Sequence, residues 1–208
     1  MIRALFLSSA STTCQRAGST SVCKPETYSC VECLDDDKCS GTLKRCKVDT
    51  NTCVECLGSG DCSGTKPVCD ANKTCQPCQK DNECSPIAAG VDGVCMLDGH
   101  CASSSETIVV SATSGNLPAT EAAIPAGKTL LVIQGAVSGS LRWILTSRPQ
   151  PMTIAGQNTG TLTGSLPIHV SGGDLYVKNL TVTGGSPGIK ADTAGVIRLN
   201  RVTAVNNQ

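Results

Sequence analysis

The sequence is poor in aromatic side chains and, over its first half, in large apolar side chains of any kind. It contains one Trp, two Tyr and one Phe. Between Cys14 and Cys101 there is no Phe, no Trp and a single Ile, Ile87. Such a segment cannot offset its chain entropy by apolar burial, so disulfides or metal ions must stabilise it.

Clustered charge and long apolar runs are also missing. The formal net charge at pH 7 is zero, and no Lys/Arg cluster interleaved with aromatic residues occurs, which argues against a nucleic-acid partner. No apolar run approaches the roughly 20 residues that span a bilayer, so we expect no transmembrane segment in this chain.

The first residues, MIRALFLSSAS, begin with a positive charge and end with small side chains, as a secretory signal does. Their apolar centre runs only from Ala4 to Leu7, which is shorter than the roughly 7–15 residues of a signal-peptide core. We therefore interpret residues 1–13 as the remnant of a signal peptide or a miscalled start.

Cysteine, in contrast, is abundant and confined to one region. All fifteen cysteines lie between Cys14 and Cys101, and the composition after Cys101 turns to Val, Ile, Leu, Thr, Ala and Gly. These residues suit a packed β core. The sequence thus predicts two domains: a cysteine-rich region at residues 14–101 and a β domain at residues 102–208.

The cysteines are periodic. Each repeat opens with a Cys-x2-Cys pair, adds a third cysteine after five residues, and adds a fourth after six or ten. In order, the repeats are Cys30, Cys33, Cys39, Cys46; Cys53, Cys56, Cys62, Cys69; and Cys75, Cys78, Cys84, Cys95, with Cys101 last. A period of about 22 or 23 residues indicates an array of like modules. Cys14 and Cys23 fit the third and fourth positions of an earlier repeat, so we expect the sequence to begin inside a repeat.

Disulfides and zinc are the two ways to use these cysteines. The spacing of Cys30-x2-Cys33 and Cys53-x2-Cys56 matches a four-cysteine zinc site. That arrangement leaves Cys39 and Cys46 without a role, however, and neither histidine lies at ligand spacing from a cysteine pair. Dense cysteine in a short apolar-poor segment is typical of secreted disulfide frameworks. We favour disulfides, and predict no metal or other cofactor.

The spacing alone does not fix the connectivity, since four cysteines allow three pairings. We favour an interleaved scheme that joins the second cysteine to the fourth and the third to the next opener. It leaves Cys23 unpaired and gives the pairs Cys14–Cys30, Cys33–Cys46, Cys39–Cys53, Cys56–Cys69, Cys62–Cys75, Cys78–Cys95 and Cys84–Cys101. A scheme that pairs the four cysteines within each repeat would instead leave Cys101 without a partner.

Acidic residues precede the third cysteine, as at Asp35-Asp36-Asp37, Asp61, and Asp81 with Glu83. One such turn supplies too few converging oxygens for calcium, so we interpret them as solvated turn acids. The CVEC-type pairs, the Asp before the third cysteine, and turns such as Asp98-Gly99 resemble the cysteine-rich units of Dickkopf N-terminal type. Similar arrays occur in predicted bacterial surface proteins. The resemblance covers residues 14–101 and implies an extracellular module.

The second half contains alternating apolar pairs spaced about 22 residues apart. They are Leu130/Val132, Met152/Ile154, Leu175/Val177 and Ile197/Leu199. A period of two within a longer repeat predicts a parallel β-solenoid whose turns stack these pairs; an antiparallel sandwich is the alternative. We also expect a short helix at residues 117–124 to cover the first turn.

The strings YVKNLTVTGG and IRLNRVTAVNN resemble turns of a right-handed parallel β-helix of the pectin-lyase-like class, over residues 105–208. In that class, Asn206 and Asn207 would suit a turn stack. The repeat is interrupted at Gln208, so we expect the solenoid to be truncated. The fold class predicted for the chain is mostly β: a small disulfide-rich array followed by a parallel β-helix.

The resemblance also implies cleavage of acidic polysaccharides, either by calcium-assisted elimination or by hydrolysis, and hydrolysis needs paired carboxylates on adjacent turns. The second half has four acids, Glu106, Glu121, Asp174 and Asp192. Asp174 and Asp192 are out of register by four positions, so stacked turns would not bring them together, and we assign no catalytic residue. Lys178, Lys190, Arg198 and Arg201 are expected to be solvated, and Trp143 to be a packing residue.

We therefore predict a secreted or cell-surface protein with a structural or binding role, in which a cysteine-rich stalk precedes a β-helix surface. Its partner would be an extracellular polysaccharide or another surface protein. The alternative is the N-terminal part of a polysaccharide lyase or hydrolase of the pectin-lyase-like class, and a reduced zinc-binding array is a third possibility.

Overall fold

The computed structural model describes residues 13–16, 19–27, 29–113, 117–145, 148, 150–165, 167–192 and 195–206. The segment 1–12, which belongs to the signal-peptide remnant or miscalled start of the sequence interpretation, lies outside these residues. Contacts divide the chain into two compact units, Met1–Pro77 and Cys78–Gln208. Composition divides it after Cys101, so the two divisions differ in where they place the last cysteine repeat.

The first unit consists of short antiparallel hairpins. Single-turn 3-10 helices at Asp36–Lys38 and Ser59–Asp61 precede the third cysteine of their repeats. The strands are β1 (Thr13–Arg16), β2 (Ser19–Lys24), β3 (Ser29–Val31), β4 (Arg45–Lys47), β5 (Thr52–Val54), β6 (Val68–Cys69) and β7 (Cys75–Gln76).

One backbone contact recurs in every cysteine repeat. A residue of positive φ in the hairpin turn presents its carbonyl to the second opening cysteine of that repeat. The contacts are Cys33 N to Asn51 O (3.4 Å), Cys56 N to Lys73 O (3.3 Å) and Cys78 N to Gly99 O (2.9 Å). This left-handed conformation suits Asn51 and Gly99, whereas in the second module Lys73 adopts it.

The second unit begins with a 3-10 helix at Asp81–Glu83 and continues with parallel strands. These are β8 (Thr107–Ser111), β9 (Leu130–Ser138), β10 (Leu141–Ile144), β11 (Met152–Thr163), β12 (Ile168–Ser171), β13 (Gly173–Lys178), β14 (Thr181–Thr183), β15 (Ile189–Ala191), β16 (Gly195–Asn200) and β17 (Thr203–Val205). Their pairing is parallel throughout. The prediction of a mostly β chain with a disulfide-rich segment followed by a parallel solenoid is therefore confirmed.

Three ladders of stacked strands form the walls of the solenoid. The outer side of the first is called the module face; it comprises β8, residues 130–134, residues 152–157, β13 and β16. The outer side of the second is called the threonine face; it comprises residues 136–138, residues 161–163, β14 and β17. The outer side of the third is called the basic face; it comprises β10, β12 and β15.

Alternate side chains of each ladder point inward and stack on their equivalents in the next turn. Ile154 lies beside Val177, and both are fully buried. Met152 likewise lies beside Leu175, which pairs with Ile197 one turn further on. These stacked apolar pairs form the core.

The sequence prediction for the first apolar pair is wrong by one residue. The structure pairs Leu131, not Val132, with Ile154, and Leu131 and Ile133 enter the core. Leu130 and Val132 point outward into a second apolar cluster. A shift of one residue turns every side chain of a strand to the other face. The run Leu-Leu-Val-Ile is apolar on both faces, so alternation could not reveal its register.

Corners between the ladders use residues of positive φ. Gly135 (φ 66°), Asn179 (φ 52°) and Arg201 (φ 53°) turn the chain between the first and second ladders. A Cβ on Gly156 would lie 2.2 Å from the carbonyl oxygen of Asn179, so only glycine allows these two turns to approach. Asn206, predicted as a turn-stack residue, has φ 54°; Asn207 lies outside the described residues.

The segment predicted as a helix at residues 117–124 contains only a 3-10 turn, Glu121–Ala123. Thr120 instead forms a parallel bridge with Arg142 and so adds a rung to the third ladder. Leu117 and Ile124 pack against the core. The segment covers core residues as expected, with a single 3-10 turn in place of a longer helix.

Candidate functional site

Six of the cysteine pairs proposed from the sequence are brought together as disulfides. Their Cα–Cα distances of 5.4 to 5.9 Å lie within the usual range for disulfides. The pairs are Cys33–Cys46, Cys39–Cys53, Cys56–Cys69, Cys62–Cys75, Cys78–Cys95 and Cys84–Cys101. They divide the array into a first module (33–53), a second module (56–75) and a third module (78–101), each closed by two crossing disulfides.

The earliest repeat is described in part. Cys30 is disulfide-bonded, whereas the side chain of its proposed partner, Cys14, lies outside the described residues. Cys23, proposed as unpaired, is a half-buried free cysteine. Its strand places it opposite Cys30, as Cys46 lies opposite Cys53. Cys23 thus occupies the position of a fourth cysteine.

Cysteine sulfur atoms cluster closely enough to raise the question of a metal. In each module, three of them lie within 4.8 Å of one another; the groups are Cys33, Cys39, Cys53; Cys56, Cys62, Cys69; and Cys78, Cys84, Cys101. All belong to disulfides. A disulfide sulfur lacks the thiolate charge with which cysteine binds zinc, so these clusters are cross-links and not a zinc centre in the oxidised protein.

Turn acids in the modules bind backbone amides. Asp36 Oδ1 accepts a hydrogen bond from Cys46 N (2.6 Å), and Asp81 Oδ1 accepts one from Cys95 N (2.8 Å). In the second module, Ser59 occupies the equivalent position and bonds to Cys69 N. These side chains fix the fourth cysteine of each module, a structural role that the interpretation as solvated turn acids missed.

Two further carboxylates bind the amides that begin the 3-10 turns. Asp61 accepts from Leu57 N and Gly58 N, and Glu83 accepts from Gln79 N and Lys80 N. These hydrogen bonds hold the pKa of Asp61 and of Glu83 below their ordinary values. The carboxylate oxygens are therefore already engaged in shaping the turns.

The third module packs on the module face of the solenoid. Its residues Val91, Val94 and Met96 form an apolar cluster with Leu130 and Val132, which point outward from β9. Val94 is 1% exposed, and both solenoid residues are fully buried. The cluster explains why residues 130–133 are apolar on both sides.

The longer loop of the third module makes this contact. Ten residues separate its third and fourth cysteines, whereas six do so in the other two modules. In this loop, Gly90 O accepts from the side chain of Gln134, while Asp92 N and O both bond to the side-chain amide of Gln157. Gln134 and Gln157 are register neighbours on adjacent turns. The insertion thus supplies one set of hydrogen bonds between the third module and the solenoid.

An ion pair between a buried lysine and a partly exposed aspartate anchors the other side of the module. The ammonium group of Lys178 contacts the Asp81 carboxylate and donates to Cys95 O at 2.6 Å. Asn179 Nδ2 donates to the same carboxylate at 3.0 Å. The sequence analysis expected Lys178 to be solvated; instead, its side chain is 6% exposed. Sequence spacing gives no signal for a contact across 97 positions.

The basic face carries Arg142, His169 and Lys190 in register on successive turns. Asp192 lies beside this column; its Oδ2 is 2.7 Å from His169 Nε2, and its Oδ1 is 3.1 Å from Lys190 Nζ. The hydrogen bond to His169, followed by that to Lys190, holds the pKa of Asp192 at about 2. Ser171 bonds to Asp192 and not to the imidazole, so no nucleophile–base pair results.

The solenoid acids have separate basic partners. Glu106 lies beside His100, Asp174 bonds to Arg198 at 2.8 Å, and Asp192 bonds to His169. The side chain of Glu121 is outside the described set. The acids whose side chains are described therefore do not form the facing carboxylate pair of glycosidases.

The two large aromatic residues of the second half differ in role. Trp143 is buried in the core, where its indole N–H donates to Pro118 O at 2.8 Å, as the packing role predicted for it requires. Tyr176 lies half-buried on the module face; its hydroxyl accepts from Asn200 Nδ2, and Lys178 Nζ lies 5.8 Å from its ring centroid.

Comparison with protein-family models, with curated proteins and with solved structures finds no match to this chain. The Dickkopf-type and pectin-lyase-like resemblances thus rest on cysteine spacing and on the parallel ladder alone. Within the described ranges, no helix is long and apolar enough to cross a membrane.

Proposed function

We propose that this chain is a modular extracellular or cell-surface protein in which the cysteine repeats act as a stalk or spacer and the solenoid presents a binding surface. The main support for the proposal is the identity of the buried side chains in the first unit. Among its described residues, the buried hydrophobic side chains are all cysteines: Cys33, Cys46, Cys56 and Cys75. Cross-links therefore take the place of a core, which requires an oxidising compartment.

The binding role rests on how the solenoid uses its faces. The third module covers part of the module face, while the threonine and basic faces leave side chains such as Thr163 and Lys190 exposed. Regular ladders of exposed side chains are what solenoids offer to partners. We propose an extracellular polysaccharide or another surface protein as the partner class.

Localisation tests the proposal. Intact cells of the source organism would be treated with an impermeant protease, and the cytosol, cell surface and medium probed with an antibody to the solenoid. The proposal predicts that the protein is at the surface or in the medium, with protease removing the surface fraction. Protein confined to the cytosol and protected from protease would contradict it.

Cleavage assays separate this proposal from that of a polysaccharide-degrading enzyme. The oxidised chain would be incubated with polygalacturonate and other acidic polysaccharides, and new reducing ends and unsaturated products measured. A binding protein would sediment together with the polysaccharide and leave its chain length unchanged. Catalytic shortening that survives further purification would favour the enzyme.

A further inference from the structure

The hairpin turn of the second module presents an asparagine that takes no part in the fold. Lys73 N donates to Asp70 O at 3.1 Å, which places Asn72 at the apex of a β-turn. Asp70 N donates to Thr74 O at 3.0 Å and closes the hairpin. Asn72 is exposed. In the described part of the chain, neither the Asn72 amide nor the Thr74 hydroxyl has a hydrogen-bond partner, so both are available to a group outside it.

The equivalent turns of the other two modules contribute side chains to the fold. In the first module, the Asn51 side chain accepts from Lys24 Nζ and donates to Cys33 O. In the third module, His100 Nε2 lies 3.0 Å from Glu106 Oε2, beside the start of β8. The apex of the turn in the second module makes no such contact among the described residues. A group added there therefore disturbs none of the hydrogen bonds described above.

The exposed asparagine begins the string Asn72-Lys73-Thr74, in which a hydroxyl side chain stands two residues after the asparagine. This is the acceptor pattern of N-linked glycosylation, and the structural context that supports such a match is a surface loop of a secreted protein. The turn supplies that context, because it is exposed and belongs to an array that disulfides stabilise. The position of the string thus adds to the evidence of its sequence.

A second match to the same pattern, Asn179-Leu180-Thr181, lies in a different environment and provides an internal comparison. Asn179 Nδ2 donates to Asp81 Oδ2 at 3.0 Å, and Leu180 is 1% exposed in the core. A sugar on Nδ2 would replace one of its hydrogens and add bulk where the third module packs on the solenoid. The module would have to leave the solenoid to admit it, so the folded protein excludes a glycan at Asn179.

We propose that Asn72 is a site of N-linked glycosylation on the stalk and that Asn179 is not. The donor class is an oligosaccharide carried on a lipid pyrophosphate. The Asn72 side-chain nitrogen forms a bond to the first sugar, the bond between that sugar and the pyrophosphate oxygen breaks, and the proton lost by the amide passes to the pyrophosphate. The inference rests on the proposed extracellular role, since the donor is met on the secretory route. A glycan at this apex would shield an exposed turn from proteases.

The test maps modifications on the full chain purified from its source organism, with the location of the protein recorded. After reduction and digestion, mass spectrometry with fragmentation that preserves glycans gives the occupancy of the peptides that contain Asn72 and Asn179. Thr74→Val removes the hydroxyl that the acceptor pattern requires at nearly constant size. Thr74→Ser keeps a hydroxyl at that position and serves as the matched control. A thiol count unchanged from wild type verifies that each variant keeps its disulfides.

The proposal predicts a glycan at Asn72 in the wild type and in Thr74→Ser, an occupancy at least about tenfold lower in Thr74→Val, and no glycan at Asn179. Surface or secreted protein that is unmodified at Asn72 overturns it and leaves the proposed extracellular role intact. A glycan retained in Thr74→Val, or equal occupancy at Asn179, also overturns it. Unmodified protein confined to the cytosol contradicts both proposals, so the location of the protein tells the two failures apart.

Discussion

Lys178 in the solenoid and Asp81 in the third module form an ion pair although 97 positions separate them in the sequence. Removing one partner of a buried pair leaves the other charge uncompensated. Lys178→Met keeps the packing of the side-chain stem, and we expect it to cost about 2 to 3 kcal/mol, at the lower end for such pairs because Asp81 is partly solvated.

Guanidinium denaturation of the oxidised protein, followed by circular dichroism, measures this loss. Asp81→Asn should cost at least as much, because it leaves the ammonium buried, and the double variant should cost less than the sum of the two. Lys190→Met, at a half-exposed side chain, should lie within about 0.5 kcal/mol of wild type. Equal effects at Lys178 and Lys190 would show that the pair does not anchor the module.

The apolar contact between the third module and the solenoid gives the second prediction. Val94→Asp places a carboxylate among Val91, Leu130 and Val132, and burial of an unpaired charge should destabilise the second unit by more than about 3 kcal/mol. Leu97→Asp changes an exposed residue of the same module and is the control. Hydrogen exchange should show faster exchange in residues 130–134 for Val94→Asp alone.

His100 should make stability depend on pH. Burial lowers the pKa of His100, but the hydrogen bonds that its ring donates to Asp98 and Glu106, together with the charges of these carboxylates, more than offset this, so its pKa is raised. A histidine whose pKa is higher in the folded protein than in the unfolded chain contributes its full stabilisation at pH values below the ordinary pKa of about 6.5. That contribution is lost as the pH rises through the folded-state pKa. The denaturation midpoint should therefore fall between pH 6 and 9 by more in the wild type than in His100→Gln. Parallel profiles would contradict this assignment.

Asp192 should affect the pH dependence of stability in the opposite direction to His100. Its folded pKa of about 2 lies below the ordinary 3.8, chiefly because of the hydrogen bond to His169. The stabilisation is therefore present above pH 4 and is lost as pH falls towards 2. The stability difference between wild type and Asp192→Asn should shrink across that interval. A difference that stays constant would show that the carboxylate is not stabilised in its charged form.

The spacing of the cysteines was informative because short loops leave few ways to pair half-cystines. Cys33, Cys39, Cys46 and Cys53 already define a module, and the same intervals recur from Cys56 except that the last is one residue shorter. In the solenoid, the pairs Met152/Ile154 and Leu175/Val177 predicted the register equally well, since the outward side of their strands carries polar or small residues. Where a strand is apolar on both sides, as at Leu130 to Ile133, the register was ambiguous.

The parts that sequence reasoning missed depend on contacts between distant segments. A lysine on a β-strand is usually solvated, whereas Lys178 is buried because it contacts Asp81 and Cys95 of the third module. The threonine face was overlooked for a different reason: the inward residues Val182 and Leu162 set the repeat, whereas the outward Thr181 and Thr183 follow ordinary β propensity.

The count of free thiols in the natively purified protein tests the central claim most directly, namely that disulfides replace a hydrophobic core in the cysteine-rich region. The protein would be denatured without reductant, its thiols titrated, and its cross-links mapped by mass spectrometry. We predict about one reactive thiol per chain, at Cys23, with the crossing pairs Cys33–Cys46 and Cys39–Cys53 and their equivalents intact. Reaction of most of the fifteen cysteines would contradict the account.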